Sequence, residues 1–129
     1  MRQDPVLFND TLRNNLTMYR DMDDDELIAL LQKLNLSKFA SREGLNAIIS
    51  EGGSNLSGGE RKRIALARTL LRKAPITIID EPLANVDSET AEKIEDILSE
   101  LSGGIVFVIT HHFSDDKKKA FAKEFRLGA

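Results

Sequence analysis

Asn55-Leu-Ser-Gly-Gly-Glu-Arg-Lys-Arg-Ile-Ala-Leu-Ala-Arg68 opens a helix on residues that favour an anion. Ser57 and Glu60 stand in the S-x-x-E relation, in which the hydroxyl accepts from the Glu60 amide while the carboxylate reaches back to the Ser57 amide. Gly58 and Gly59 carry no Cβ, so another surface can approach the backbone. The first-turn amides and the positive end of the helix dipole favour a negative group there. A helix start that uses glycine for no such purpose has the same local signature, so the rest of the chain must decide. Ile64, Ala67, Leu70 and Leu71 form one stripe and predict a helix from Ser57 to about Lys73, beyond which Pro75 forbids continuation.

Downstream, Ile76-Thr-Ile-Ile79 is β-branched without alternation, which predicts a strand buried on both faces of a parallel sheet. Asp80 and Glu81 sit at its carboxyl end. Pro82 to Val86 turns, and Asp87 caps a helix over Ser88 to Leu101 with Ala91, Ile94, Leu98 and Leu101 on one face. Ser102-Gly103-Gly104 closes it. Ile105-Val-Phe-Val-Ile109 reads as a second buried strand with His111 and His112 just past its end. Strand, helix, strand implies a right-handed crossover. Ligands of open parallel sheets bind beyond the carboxyl ends of the strands, so Asp80, Glu81 and His111 are expected on one edge.

Upstream, Gln3-Asp-Pro-Val-Leu-Phe8 reads as extended, followed by a short helix capped by Asp10 or Thr11. A second helix is expected from about Asp23 to Leu34, with Asp23 and Glu26 in capping-box spacing and Leu27, Leu30, Leu31 and Leu34 on one face. Ser37 to Arg42 suggests a further helical turn broken by Glu43-Gly44, and Asn46 to Asn55 a loop. The tail from Ser114 reads as a helix, with Asp115 and Asp116 first and Lys117 to Lys119 after, as a helix dipole prefers. Phe121, Phe125 and Leu127 are expected to pack or to form an edge strand.

At 129 residues the chain has room for one domain at most. Its 18 basic and 21 acidic residues give a net charge of −3, which argues against nucleic acid as the main partner. With no cysteine, disulfides, thiolate zinc sites and a cysteine nucleophile are ruled out. No apolar run approaches the roughly 20 residues of a membrane helix, and no leader opens the sequence, so a soluble chain is expected whose membrane link comes through a partner.

An acid pair after an apolar strand suits phosphoryl transfer, one carboxylate toward Mg²⁺ and the next toward the attacking water. Alone, Ile-Ile-Asp-Glu-Pro is weak, since a strand-terminal Asp often only caps a turn. Combined with Ser57-Gly58-Gly59-Glu60 it is specific. The chain closely resembles the ATPase domain of ABC transporters of exporter type, from Gln3 to about His111. Leu56-Ser57-Gly58-Gly59-Glu60 is similar to the signature motif, Ile76 to Glu81 to the Walker B strand, and Leu83 to Asp87 to the D-loop. The resemblance implies Asp80 and Gln3 as Mg²⁺ contacts, Glu81 as general base and His111 as the switch histidine. It further implies Gln3, Ser57, Gly58, Gly59, Glu60 and Asp87 as nucleotide contacts. The implied cofactors are ATP and Mg²⁺. The implied partners are a second ATPase domain, closed head to tail on ATP, and a transmembrane transporter subunit, with no nucleic acid. The implied location is the cytoplasmic face of a membrane.

The fold class implied is α/β: an incomplete P-loop NTPase-type parallel sheet with helices, plus an α-helical subdomain over about residues 4–55 and core elements over about 56–129. No G-x-x-x-x-G-K-[S/T] occurs, so the phosphate-cradling loop is absent. The chain therefore reads as the C-terminal portion of such a domain, with weak nucleotide affinity and strand edges left unpaired. The resemblance stops at His111. Two other readings stand beside it. Chromosome-maintenance ATPases share the signature but carry a long coiled coil where this chain has only Asp4 to Asn55. A non-catalytic interaction fragment is the second.

Overall fold

The structure, a computed structural model, describes residues 1–2 and 4–128. Gln3, expected to touch nucleotide and metal, lies outside the described residues. The chain runs β1 (Asp10–Thr11), α1 (Leu12–Thr17), α2 (Asp24–Lys33), α3 (Arg42–Leu45), β2 (Ile48–Ile49), α4 (Gly58–Leu71), β3 (Ile76–Asp80), α5 (Ser88–Ser99), β4 (Ile105–Ile109) and α6 (Asp115–Lys118). This is the expected α/β arrangement of helices with small sheets.

β3 and β4 pair in parallel, Ile76 beside Ile105 through Asp80 beside Ile109, with α5 as the crossover. One core unites the helical and strand parts: Leu12, Leu16, Leu27, Leu31, Ile64, Leu66, Ile79 and Ile94 are fully buried within it. The apolar stripes of α2, α4 and α5 supply most of these, as their periodicity requires.

Several expectations are corrected. β3 and β4 are covered on one face only: Ile79 is buried, but Ile76, Ile78, Ile105, Phe107 and Ile109 are all exposed. The unbroken apolar composition reflects a second face that no described element covers, not two covered faces. Asp23 caps α2 without a side-chain hydrogen bond. Glu26, the other half of that expected box, instead pairs with Lys73 at 3.3 Å. Glu43 and Gly44 do not break a helix; they lie within α3, where Ser41 caps by accepting from the Gly44 amide. A Cβ on Gly44 would sit 2.4 Å from the Phe39 carbonyl oxygen, so this glycine permits a close approach. The stretch 46–55 contains β2, which pairs antiparallel with β1; two-residue strands leave no periodicity to read. The tail helix shrinks to one turn, α6, docked by Ser114 and Lys117 onto Glu95 and Asp96 of α5. Phe121 meets Phe113 edge to face at 5.5 Å, whereas Phe125 and Leu127 stay exposed.

Candidate functional site

α4 begins with the reciprocal box. The Glu60 amide donates to Ser57 Oγ at 3.1 Å and the Ser57 amide to Glu60 Oε2 at 3.0 Å. Ser57 Oγ accepts in this box, so its hydroxyl proton is free to donate outward. Burial disfavours the Glu60 carboxylate. The Lys38 ammonium at 2.6 Å, the Ser57 amide and Arg63 outweigh that and hold its carboxyl below the usual range. Glu60 is therefore a tied anion that fixes the turn.

The two glycines are not required by this chain's own packing. A methyl on Gly58 would meet only the end of the Arg61 side chain at 3.8 Å, and one on Gly59 only the Arg63 guanidinium at 3.0 Å, a flexible group. Neither has a positive φ. Their neighbour Gly53 differs: φ is +70° and a Cβ there would press on Arg61 and Leu7 at 2.8–2.9 Å. The missing side chains at 58 and 59 thus leave bare amides facing outward at the helix start, as approach by an external anion demands.

The second group lies past the carboxyl ends of β3 and β4. The Glu81 amide donates to the Ile109 carbonyl at 2.8 Å, continuing the ladder by one rung. Glu81 itself turns into the left-handed region at φ 49°, as Asn85 does at 60°. That conformation is costly for a glutamate and is held by the surrounding turn. It brings Glu81 Oε1 within 3.1 Å of His111 Nε2; the carboxylate is only 17% exposed, while the imidazole is 86% exposed. Asp80 precedes it, its amide bonded to the Met1 carbonyl at 3.3 Å. His112 turns back instead, its carbonyl accepting from Thr110 Oγ1.

Asp87 caps α5. Its carboxylate accepts from the Thr90 amide at 2.9 Å and from the Thr90 hydroxyl at 2.7 Å, bonds that hold its carboxyl below the usual range. Thr90 is fully buried, and its Oγ1 also accepts from Asn35 Nδ2 at 2.9 Å. Neither Asn35 nor Thr90 stands out in the sequence, because the contact spans 55 residues and each type is common at helix ends.

Arg68 is the other residue the sequence reading missed. Its guanidinium donates to the Val6 carbonyl at 2.8 Å, the Asn15 carbonyl at 2.7 Å and Asn15 Oδ1 at 3.3 Å, and stacks on Phe8 at 5.5 Å. Burial pushes its pKa down. It clamps the entry segment against α4 without any carboxylate.

Among the described residues, no hydrogen bond or ion pair joins the Ser57–Glu60 group to Asp80, Glu81 or His111. No three of His, Asp and Glu converge as a metal-binding group either. Asp80 can serve as one oxygen ligand, which suits Mg²⁺ bound mainly through substrate phosphates. Helix-start amides, a hydroxyl and a single carboxylate are groups that suit a phosphate and a metal ion. No helix among the described residues is long and apolar enough to cross a membrane.

The family model described as ABC transporter matches residues 1–84. The chain is 41% identical over 115 residues to ABC transporter C family member 12 of Dictyostelium discoideum, covering 87% of this chain and 9% of that protein. It is 42% identical over 117 residues to the ATP-dependent lipid A-core flippase of Dechloromonas aromatica (strain RCB), covering 87% of this chain and 20% of the flippase. Among solved structures, a bacterial Atm1-family ABC exporter with ATP bound superposes with a TM-score of 0.71 at 33% identity, over 85% of this chain and 20% of that one. The chain spans no more than a fifth of these relatives. With the family model covering well over half of its residues, this chain belongs to the ABC transporter family.

Proposed function

We propose that this chain is the signature-bearing part of an exporter's ATPase domain and that it works on MgATP shared with a second ATPase domain. The observation that carries the reading is the Glu81–His111 contact of 3.1 Å at the carboxyl end of the parallel pair. ATP supplies the phosphoanhydride that is cleaved, and Mg²⁺ shields its charge. Glu81 accepts a proton from the attacking water, and its shielded position keeps the carboxylate aimed. His111 fixes the carboxylate rotamer and presents its exposed ring to the terminal phosphate. Asp80 offers an oxygen to the metal, with Gln3 as a further ligand.

Ser57 and the Gly58 and Gly59 amides face a nucleotide held by the other domain, head to tail, with Glu60 stiffening their turn. Asp87 lies in the loop between the two halves of that composite site. Residues 4–55 form a helical subdomain, and residues 56–129 the core portion. Val6, Phe8, Tyr19 and Ile48 are exposed apolar groups on the helical side, a surface suited to docking on the transmembrane subunit at the cytoplasmic side of a membrane.

Phosphate release from MgATP, measured for the chain and for Glu81→Gln, tests the assignment. Turnover that disappears in the variant supports Glu81 as the base, and equal turnover removes it from that role. If neither turns over, the isolated chain acts only as a contact module. Nucleotide-dependent association with a flippase ATPase domain, abolished by Ser57→Arg, then carries the remaining claim.

A further inference from the structure

Among the described residues, Glu95 is the one carboxylate in the buried set, 6% exposed on α5 beside Ile94. Asp80, Glu81 and His111 make no use of it. A carboxylate in such a place gives up hydration that only hydrogen bonds replace, whereas an apolar side chain of its size would sit there without that cost. Both of its oxygens go to a single residue. The Ser114 amide donates to Oε1 at 2.9 Å, and the Ser114 hydroxyl donates to Oε2. Ser114 is the N-cap of α6, where a serine hydroxyl ordinarily accepts from an amide of its own helix, and here it makes no such bond. Its hydroxyl is turned instead toward a helix 19 positions back.

The path of the chain shows what this tie fixes. The Ile109 carbonyl accepts from the Glu81 amide at 2.8 Å, which holds the end of β4 to the start of the Glu81 turn. Thr110, His111, His112 and Phe113 then run to Ser114. Thr110 Oγ1 donates to the His112 carbonyl at 2.9 Å and closes the bend, and Phe113 packs against the core. One packed ring is a point about which the segment can still pivot; the paired bonds of Ser114 supply a second point. The His111 ring is 86% exposed, so packing does not hold it 3.1 Å from Glu81 Oε1. Its place comes from the backbone that carries it. We propose that Glu95 is a positioning residue for the Glu81–His111 pair: by fixing Ser114 it sets the bend that holds His111 against the Glu81 carboxylate. Its bearing on turnover rests on the reading of that pair as the group facing the terminal phosphate. α5 is capped by Asp87 and holds Ser114 about two turns further on, so one helix anchors both the loop after Glu81 and the segment after His111. The neighbouring Lys117–Asp96 pair is partly exposed, where an ion pair contributes little.

Nuclear Overhauser cross-peaks between the His111 ring and the Glu81 side chain, recorded on the whole chain without nucleotide, read the contact directly. With two histidines in the sequence, the ring signals are separable. Glu95→Met keeps the length and helix preference of the side chain and removes both acceptors. It should abolish the cross-peaks while circular dichroism shows the helix content unchanged, a separation that a merely structural role would not produce. Ser114→Pro removes both donors at a φ of −61°, which proline adopts, and should abolish them too. Asp96→Asn, which breaks the pair with Lys117, should keep them. Absence of the cross-peaks from the unaltered chain overturns the proposal, as does their full strength in Glu95→Met. If that variant does not fold, full strength in Ser114→Pro overturns it instead. Loss in Asp96→Asn also overturns it, because the docking of α6 as a whole, and not Glu95, would then hold His111. These outcomes do not depend on whether Glu81 takes a proton from water, which phosphate release decides separately.

Discussion

Glu81 reaches His111 only because its own backbone leaves the strand in a left-handed turn: φ is 49° at the residue whose carboxylate then stands 3.1 Å from the imidazole. Few side chains favour that φ, and asparagine and glycine tolerate it best. Glu81→Asn should therefore raise stability by about 0.5 kcal/mol while removing the carboxylate reach, a trade between stability and activity. Urea denaturation midpoints for the two proteins check the sign.

Ser57→Ala should lower stability by about 1 kcal/mol, the usual cost of losing an N-cap hydroxyl. Both bonds of the box run through residues 57 and 60. Glu60→Gln, which keeps an acceptor for the Ser57 amide, should cost less. Equal losses in equilibrium unfolding would show that the Lys38–Glu60 pair, and not the box, holds the turn.

The glycines separate structural from functional need. Gly44→Ala should destabilise by about 2 kcal/mol or more, because its Cβ would overlap the Phe39 backbone, which cannot step aside. Gly58→Ala should leave thermal stability unchanged or raise it by a few tenths of a kcal/mol, since alanine favours the helix and meets only a mobile arginine. It should still weaken nucleotide-dependent association with a partner ATPase domain. A drop in melting temperature for Gly58→Ala would mean the residue is there for the fold.

Arg68→Ala should cost about 3 kcal/mol, because three oxygens lose a charged donor in a half-buried place. Arg68→Lys should recover only part of it, as one ammonium cannot reproduce the fork. Chemical denaturation gives both values. Protection from hydrogen exchange along β1 should fall in parallel.

Acid should unfold the chain through a small set of carboxylates. The hydrogen bond from Arg13 holds Asp24 below its ordinary range, Thr90 does so for Asp87, and Lys38 and the Ser57 amide do so for Glu60 against the effect of burial. A carboxyl with a lower pKa in the folded state stabilises fully above its unfolded value of about 4 and loses that contribution as pH falls through the folded one. Melting temperature should accordingly be flat from neutrality to about pH 5 and decline below it. Asp24→Asn should lower the plateau and shallow the decline.

The long helices could be read from residue periodicity because each buries a stripe of leucine or isoleucine along its own length, and the capping box of α4 is local to four residues. The parallel order of β3 and β4, and with it the shared edge of Asp80, Glu81 and His111, follows from short chain connections. The rest was not legible for particular reasons. A bare apolar face and a covered one have the same composition, so Ile78 and Phe107 read as core. Gly44 reads as a helix breaker, although its role is to let Phe39 come close. β1 and β2 are too short to carry a pattern, and Arg68 joins residues more than 50 positions away, which no local signal reveals.

The side chain of Asn35, at the end of α2, holds the hydroxyl of Thr90, and that hydroxyl holds Asp87. Two hydrogen bonds thus connect the helical half to the loop that follows the acid pair. A tilt of α2 cannot leave the Asp87 carboxylate where it was. A displacement of α2 carried through these two bonds reaches the cap of α5, and a displacement of that cap returns to α2 by the same short linkage.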